Sequence, residues 1–152
     1  MNENNINKFN LELHPTKDIN DNHVNGSLTV IWRDWDKIIK NPLGMIYVSS
    51  VNSKEIKGPH LHTKRNTYFV CIHGKVVFVA KDEHGKYIEI ESGEDNPVLV
   101  CIPKNYASAH INLSDKISRV LVFTDIAWKP HDNEMKNISF DDYDWSKWNN
   151  AT

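Results

Sequence analysis

Two histidines stand two residues apart in the stretch Lys57-Gly58-Pro59-His60-Leu61-His62-Thr63-Lys64-Arg65, after a Gly-Pro breaker and before two cations. On extended backbone, side chains at i and i+2 leave the same face of a sheet, so the two imidazoles would converge. A convergent imidazole pair with cations nearby can move a proton, bind a metal or hold an anion. Taking a proton from a carbon next to a ketone also requires a group that stabilises or protonates the enolate oxygen. His62 or a tyrosine could serve, and Tyr47 lies in the run before the pair while Tyr68 lies just after it. Substrates acidified by a ketone often carry a phosphate or nucleotide handle, which Lys57, Lys64 and Arg65 are placed to contact. The same residues also fit plainer roles, since surface Lys-Arg pairs are commonly solvated and strand histidines can be polar filler. His14, His23, His73, His84 and His131 fall in turns or polar stretches and read as surface residues.

The elements that must position this stretch read as β-structure. Residues 27–32 and 45–51 are strand candidates ahead of it. Residues 67–72, 75–81, 86–91, 97–102, 108–113 and 118–124 follow, punctuated by Gly, Pro, Asn and Asp. Short strands at such intervals indicate an all-β sandwich or small barrel. Residues 76–80 and 98–102 are apolar on both faces, so a second sheet or a partner chain should cover each side. Trp35, Ile38 and Ile39 have helix-like spacing, which predicts a short peripheral helix or turn within residues 33–40. Residues 1–26 are polar and read as an N-terminal arm, partly ordered or packed on a partner subunit, leaving residues 27–152 as one domain. The last stretch holds Trp128, Phe140, Tyr143, Trp145 and Trp148, an aromatic tail that should pack back over the sandwich.

Bulk properties narrow the function classes. The chain has 152 residues and a net charge of −2, which gives no electrostatic case for nucleic acid or an anionic membrane. No apolar run approaches the ~20 residues of a membrane span, and the polar start lacks the apolar core of a signal peptide. A cytoplasmic protein is expected. Cys71 and Cys101 sit inside apolar runs and read as small buried hydrophobes, with no disulfide framework.

The ordering of histidines and glycines resembles the metal-binding pattern of cupins, in which Gly and His-x-His are followed by a glutamate, a glycine and a third histidine. Gly58, His60, His62 and Gly74 fit it. Asn66 or Thr67 occupies the glutamate position, Ser108 stands where the third histidine belongs, and His110 comes two residues late. His110 shares a face with Ser108, so it can still point inward. With the carboxylate missing and the register shifted, no bound catalytic metal is expected.

Residues 45–145 resemble the sugar-nucleotide cupins, which include dTDP-4-dehydrorhamnose 3,5-epimerases and dTDP-4-keto-6-deoxyhexose 3,4-ketoisomerases. Lys57-Gly58-Pro59-His60 looks like the epimerase Arg-Gly-Leu-His segment. Gly74-Lys75-Val76 looks like the start of that fold's second strand. Val100-Cys101-Ile102-Pro103, Ala109-His110 and Leu113-Ser114 look like later landmarks, and Pro130, Glu134, Ile138, Phe140 and Asp144-Trp145 like the C-terminal segment. The epimerase acid, a tyrosine on the late strand, has no counterpart in residues 120–124, and the epimerase segment that holds an aspartate behind the histidine is not found. The ketoisomerase Gly-x-His-x-His segment, with a tyrosine on the preceding strand, is matched by Gly58, His60, His62 and Tyr47.

The resemblance implies an all-β cupin, a double-stranded β-helix or jelly-roll sandwich. It implies an isomerase or epimerase acting on a nucleotide-linked 4-keto-6-deoxy sugar in surface-polysaccharide biosynthesis, without metal or other cofactor. His60 would be the base at C3, His62 would assist at the neighbouring oxygen and Tyr47 would contact or protonate the sugar. Lys57, Lys64, Arg65, Tyr68, Ser108 and His110 would bind substrate. A non-catalytic nucleotide-sugar-binding cupin and a metal-dependent cupin enzyme remain alternatives. The doubly apolar strands and the arm suit a homodimer with strands shared across its interface.

Overall fold

The computed structural model describes residues 5–149; the remaining residues of the expected arm and domain, 1–4 and 150–152, lie outside the described residues. Twelve strands run through it: β1 (Asn7–Asn10), β2 (Glu12–Lys17), β3 (Val24–Val30), β4 (Met45–Val51), β5 (Ile56–His62), β6 (Thr67–His73), β7 (Lys75–Lys81), β8 (Tyr87–Gly93), β9 (Val98–Ile102), β10 (Ala107–Asn112), β11 (Ser118–Thr124) and β12 (Met135–Asn137). They form one five-stranded sheet in the order β1-β9-β6-β11-β4 and a second in the order β12-β5-β10-β7-β8. Every pairing is antiparallel. The two sheets face one another as the expected cupin sandwich, while β2 and β3 form a separate hairpin.

Valine and other β-branched residues suit a pleated, half-buried surface, and here alternate residues serve two different cores. Val76, Phe78 and Ala80 of β7 meet Val98, Val100, Val120 and Val122 between the sheets. Val77 and Val79 face outward with Ala107, Ala109 and Ile111, and are covered by Phe140, Ile138, Tyr143, Trp145 and Trp148. The aromatic tail from Phe140 to Trp148 therefore packs back as expected and explains why β7 is apolar on both faces, whereas Trp128 is left 63% exposed. Tyr87 supports it from β8, with ring centroids 5.0 Å from Phe140 and 4.9 Å from Tyr143. On the other sheet, Tyr68, Val70, Leu99 and Phe123 face outward beneath Ile38, Ile39 and Leu43.

Of the short helix or turn expected within residues 33–40, the turn forms and the helix does not. The Asp36 carboxylate accepts the Arg33 backbone N–H at 2.9 Å, while the Asp36 N–H donates to the Arg33 carbonyl at 3.0 Å. Such local bonds offer the backbone an alternative to a helix. Trp35 is 70% exposed, and the apolar neighbours Ile38 and Ile39 lie against the sheet. The helical element is instead a short 3-10 turn, Trp145–Trp148, capped by the Asp144 side chain, which accepts from the Ser146 N–H. Residues 1–26 also differ from a loose arm where they are described. β1 is an edge strand of the first sheet, with Phe9 opposite Leu99, and position 26 falls inside β3.

Candidate active site

β5 carries the histidine pair to the space between the sheets. Its pairing with β10 is irregular: Lys57 stands opposite His110 and His60 opposite Ser108, so Gly58 and Pro59 together face the single residue Ala109. A bulge of this kind inserts one residue and re-aims the side chains beyond it. Strict alternation would separate Lys57 from His60; the bulge places Lys57, His60 and His62 on one face, with Ser108 and His110 across from them. Gly58 makes this possible. Its φ is +95°, and a Cβ there would lie 2.9 Å from the Ser108 carbonyl oxygen and 3.1 Å from the Ala109 Cα.

The two imidazoles have different partners. His60 Nδ1 lies 3.1 Å from Asn137 Oδ1 on β12. With the proton on Nδ1 donated to that oxygen, Nε2 keeps its lone pair for another partner. His62 Nδ1 lies 2.9 and 3.0 Å from the two carboxylate oxygens of Glu134, while its Nε2 lies 3.3 Å from Arg65 Nη2. A carboxylate only accepts and a guanidinium only donates, so both neighbours fix the same neutral tautomer, with the proton on Nδ1. Burial is the largest influence on His62 and lowers its pKa; Glu134 opposes that effect, and Arg65 and His60 reinforce it.

Arg65 and Glu134 are both buried, 7% and 4% exposed, and Arg65 Nε lies 3.7 Å from Glu134 Oε1. Removing one member of such a pair costs about 3–5 kcal/mol, because the other charge is left uncompensated. Arg65 Nε makes no hydrogen bond, so the guanidinium retains donor capacity. Tyr47 on β4 is half-buried and close enough to feel both charges. Burial raises its pKa, Arg65 lowers it and Glu134 raises it, so the phenol holds its proton. His110 is sealed between Phe69 and Phe78, with ring centroids 6.3 and 5.4 Å away. Its Nε2 is buried without a partner, and burial, with Lys57 and His60, lowers its pKa to about 4.

The other residues singled out from sequence divide. Lys57 Nζ donates to Ser49 Oγ at 2.7 Å and the Ser50 carbonyl at 3.2 Å, bridging β5 to β4. Ser108 lies opposite His60. Lys64 is exposed beyond the end of β5. Tyr68 points away from the histidines, to the outer face of the first sheet, where burial raises its pKa to about 12. His14, His23, His84 and His131 are exposed and His73 is half-buried. Among the described residues, the group of three whose metal-ligating atoms all lie within 4.8 Å of one another is Asp18, Asp21 and His23, at the tip of the β2–β3 hairpin; His60, His62 and His110 form no such cluster. Cys71 and Cys101 are free thiols, and burial raises both pKa values to about 11.

Glu134 and Asn137 were not among the site residues read from the sequence. They reach the histidines from 72 and 77 residues away, through the pairing of β12 with β5, which sets Met135 opposite His62 and Asn137 opposite His60. Their signal lay in the C-terminal segment, where Glu134 was one of the landmarks of the resemblance.

The comparisons with known proteins agree with this architecture. Residues 9–144 match the family described as FdtA: WxcM-like, C-terminal. The spore coat polysaccharide biosynthesis protein SpsL of Bacillus subtilis (strain 168) is 31% identical over 93 residues, 57% of this chain and 62% of that protein, so the match spans less than two-thirds of the relative. Among solved structures, a dTDP sugar isomerase from Desulfovibrio desulfuricans G20 has a TM-score of 0.77 at 20% identity, covering 90% of this chain and 85% of the other. A dTDP-4-dehydrorhamnose 3,5-epimerase from Sulfolobus tokodaii has a TM-score of 0.75 at 20% identity, covering 92% and 80%. At these identities the two structures carry the shared cupin fold. The family match runs through both sheets and the site, and it bears out the resemblance read from the sequence: the chain belongs to the family described as FdtA: WxcM-like, C-terminal.

Proposed function

We propose that this protein is an isomerase or epimerase that acts on a nucleotide-linked 4-keto-6-deoxy sugar by histidine-mediated proton transfer, in the assembly of a surface polysaccharide. The observation that carries this reading is His60, whose Nδ1 is held by Asn137 while Nε2 is left to receive a proton. His60 takes the proton from the carbon beside the ketone. The C–H electron pair becomes a C=C bond, and the carbonyl π pair moves to oxygen. Arg65 and His62 set a fixed, buried array beside that oxygen, and Tyr47 supplies a phenolic proton. Return of a proton to the opposite face of the same carbon gives epimerisation; delivery of a proton to the former carbonyl carbon, with the hydroxyl of the deprotonated carbon giving up its proton as its oxygen becomes the new ketone, gives isomerisation. Lys57, Lys64, Ser108 and His110 are proposed to bind substrate. Tyr68 leaves that set, because its side chain lies on the other side of the sheet.

The test is incubation with dTDP-4-keto-6-deoxyglucose in D2O. For epimerisation, deuterium is expected at C3, or at C3 and C5; for isomerisation, it is expected at C4 of the 3-keto product. Binding without exchange for any nucleotide 4-keto sugar would make the protein a binding module.

We also propose a cytoplasmic homodimer. Ile46 and Val48 on edge strand β4 are 56% and 50% exposed, and Leu13, Val24 and Leu28 on the β2–β3 hairpin are 42%, 62% and 61% exposed. Unpaired edges and exposed apolar side chains of this kind favour pairing with a second chain. Sedimentation at micromolar concentration should give twice the monomer mass; monomer alone would refute it.

A further inference from the structure

A cavity of about 810 Å³ lies on the outer face of the first sheet. Tyr68 and Cys101, opposite one another on β6 and β9, form part of its wall. Their neighbours Phe69 and Val100 face the core between the sheets, so the sheet itself separates this cavity from His60 and His62. Its volume falls in the range of small-molecule sites, about 300–1,000 Å³.

The charged residues of the lining are lysines. Lys37, Lys40 and Lys104 contribute to it, while the Asp125 carboxylate, bound to the Asn41 and Asn66 side chains, lies close enough to influence Tyr68 and Cys101. The side chains of Lys37 and Lys104 make no ion pair among the described residues. A concave surface lined by one sign of charge concentrates counter-ions, and lysine is a point-charge ligand for phosphate. Lys104 is presented from a fixed turn. Its backbone N–H donates to Asn66 Oδ1 at 3.0 Å, Asn105 holds a φ of +69°, and the Asn105 N–H donates to the His62 carbonyl at 2.7 Å. The rings of Phe9, Tyr68 and Tyr106 supply flat apolar surface in the same cavity.

We propose that this cavity is a second binding site, separate from the barrel, for a phosphorylated small molecule whose phosphate lies on Lys37 and Lys104. The Asn105–His62 hydrogen bond ties its wall to the end of β5.

Inorganic pyrophosphate titrated into the full-length protein, followed by backbone amide NMR shifts, tests the assignment. Saturable shifts are expected around residues 37–41 and 104–106, with the same affinity in His60→Asn. A Lys37→Ala, Lys104→Ala double variant, in which two exposed side chains are cut back, should keep its melting temperature and bind at least about tenfold more weakly. Absence of saturation, unchanged affinity in the double variant, or shifts confined to β5 and β10 would each overturn the proposal. The readout is binding of a probe without a sugar, so it stands or falls independently of turnover in the barrel.

Discussion

His60 and His62 share one strand and one face, yet they occupy opposite electrostatic settings. His60 meets a neutral amide, Asn137, and keeps one nitrogen open. His62 has both nitrogens engaged, one by a buried carboxylate and one by a buried guanidinium. The difference teaches that an His-x-His spacing sets direction but not role. A base must have an open lone pair, whereas an imidazole locked between Glu134 and Arg65 is suited to organising charge. On the proposed reading, this difference would put proton abstraction at His60 and a fixed polar array at His62, Arg65 and Glu134.

The largest expected effect breaks the comparison on the His60 side. His60→Ala should lower solvent-deuterium exchange into the keto sugar by about 10²–10⁴-fold, the usual contribution of a positioned base. Substrate affinity should change far less, because the Arg65 array stays in place. Exchange near the wild-type rate would move the base elsewhere. On the His62 side, Glu134→Ala should destabilise the fold by about 3–5 kcal/mol in denaturant titrations, since Arg65 is left buried without its carboxylate. A loss below about 1 kcal/mol would show that the pair is solvated in solution.

How much of this contrast could be read from the sequence follows from the range of the forces. The alternation that turns His60 and His62 to one side is local, so two residues of spacing sufficed. The strand punctuation was equally local, and the all-β sandwich followed from it. The roles depend on Glu134 and Asn137, 72 and 77 residues away, and no periodicity within β5 points to them. The bulge at Gly58 and Pro59 that brings in Lys57 is a non-local register shift against β10. Tyr68 was grouped with the site because it follows the histidine pair closely in sequence, but β6 turns its side chain to the outer face of the first sheet. For residues 33–40 the spacing of Trp35, Ile38 and Ile39 left helix and turn both open, and the turn closed by Asp36 is the one that forms, with Ile38 and Ile39 packed on the sheet.

His110 sharpens the comparison from across the barrel, as an imidazole with no partner on its buried Nε2. Its pKa is lowered to about 4, chiefly by burial. The unfolded chain binds the His110 proton near pH 6.5 and the folded chain only near pH 4, so between these values the unfolded state holds more protons. This contribution to stability is complete above about pH 6.5 and is lost as pH falls towards 4, amounting to roughly 3 kcal/mol. His110→Gln should flatten the stability curve over that window, read as unfolding free energy against pH. An unchanged slope would mean that His110 is hydrated and titrates normally.

The smallest effect is the most diagnostic of the two settings. Asn137 does not reach the reacting carbon in this scheme; it acts by holding the Nδ1 proton of His60 and so keeping Nε2 free. Asn137→Ala should therefore lower kcat by up to about tenfold, the value of a hydrogen bond worth roughly 0.5–1.5 kcal/mol, with KM nearly unchanged. Asn137→Asp should move the pH–rate profile instead, because a carboxylate on Nδ1 stabilises the imidazolium and raises the pKa of His60. The base then stays protonated to higher pH, and the acidic limb of kcat shifts upward. That shift separates positioning from packing, since a purely structural role for Asn137 would change the rate at every pH alike. If both variants instead raised KM and left the pH limb in place, Asn137 would be a substrate contact, and the contrast between the two histidines would rest on Glu134 and Arg65 alone.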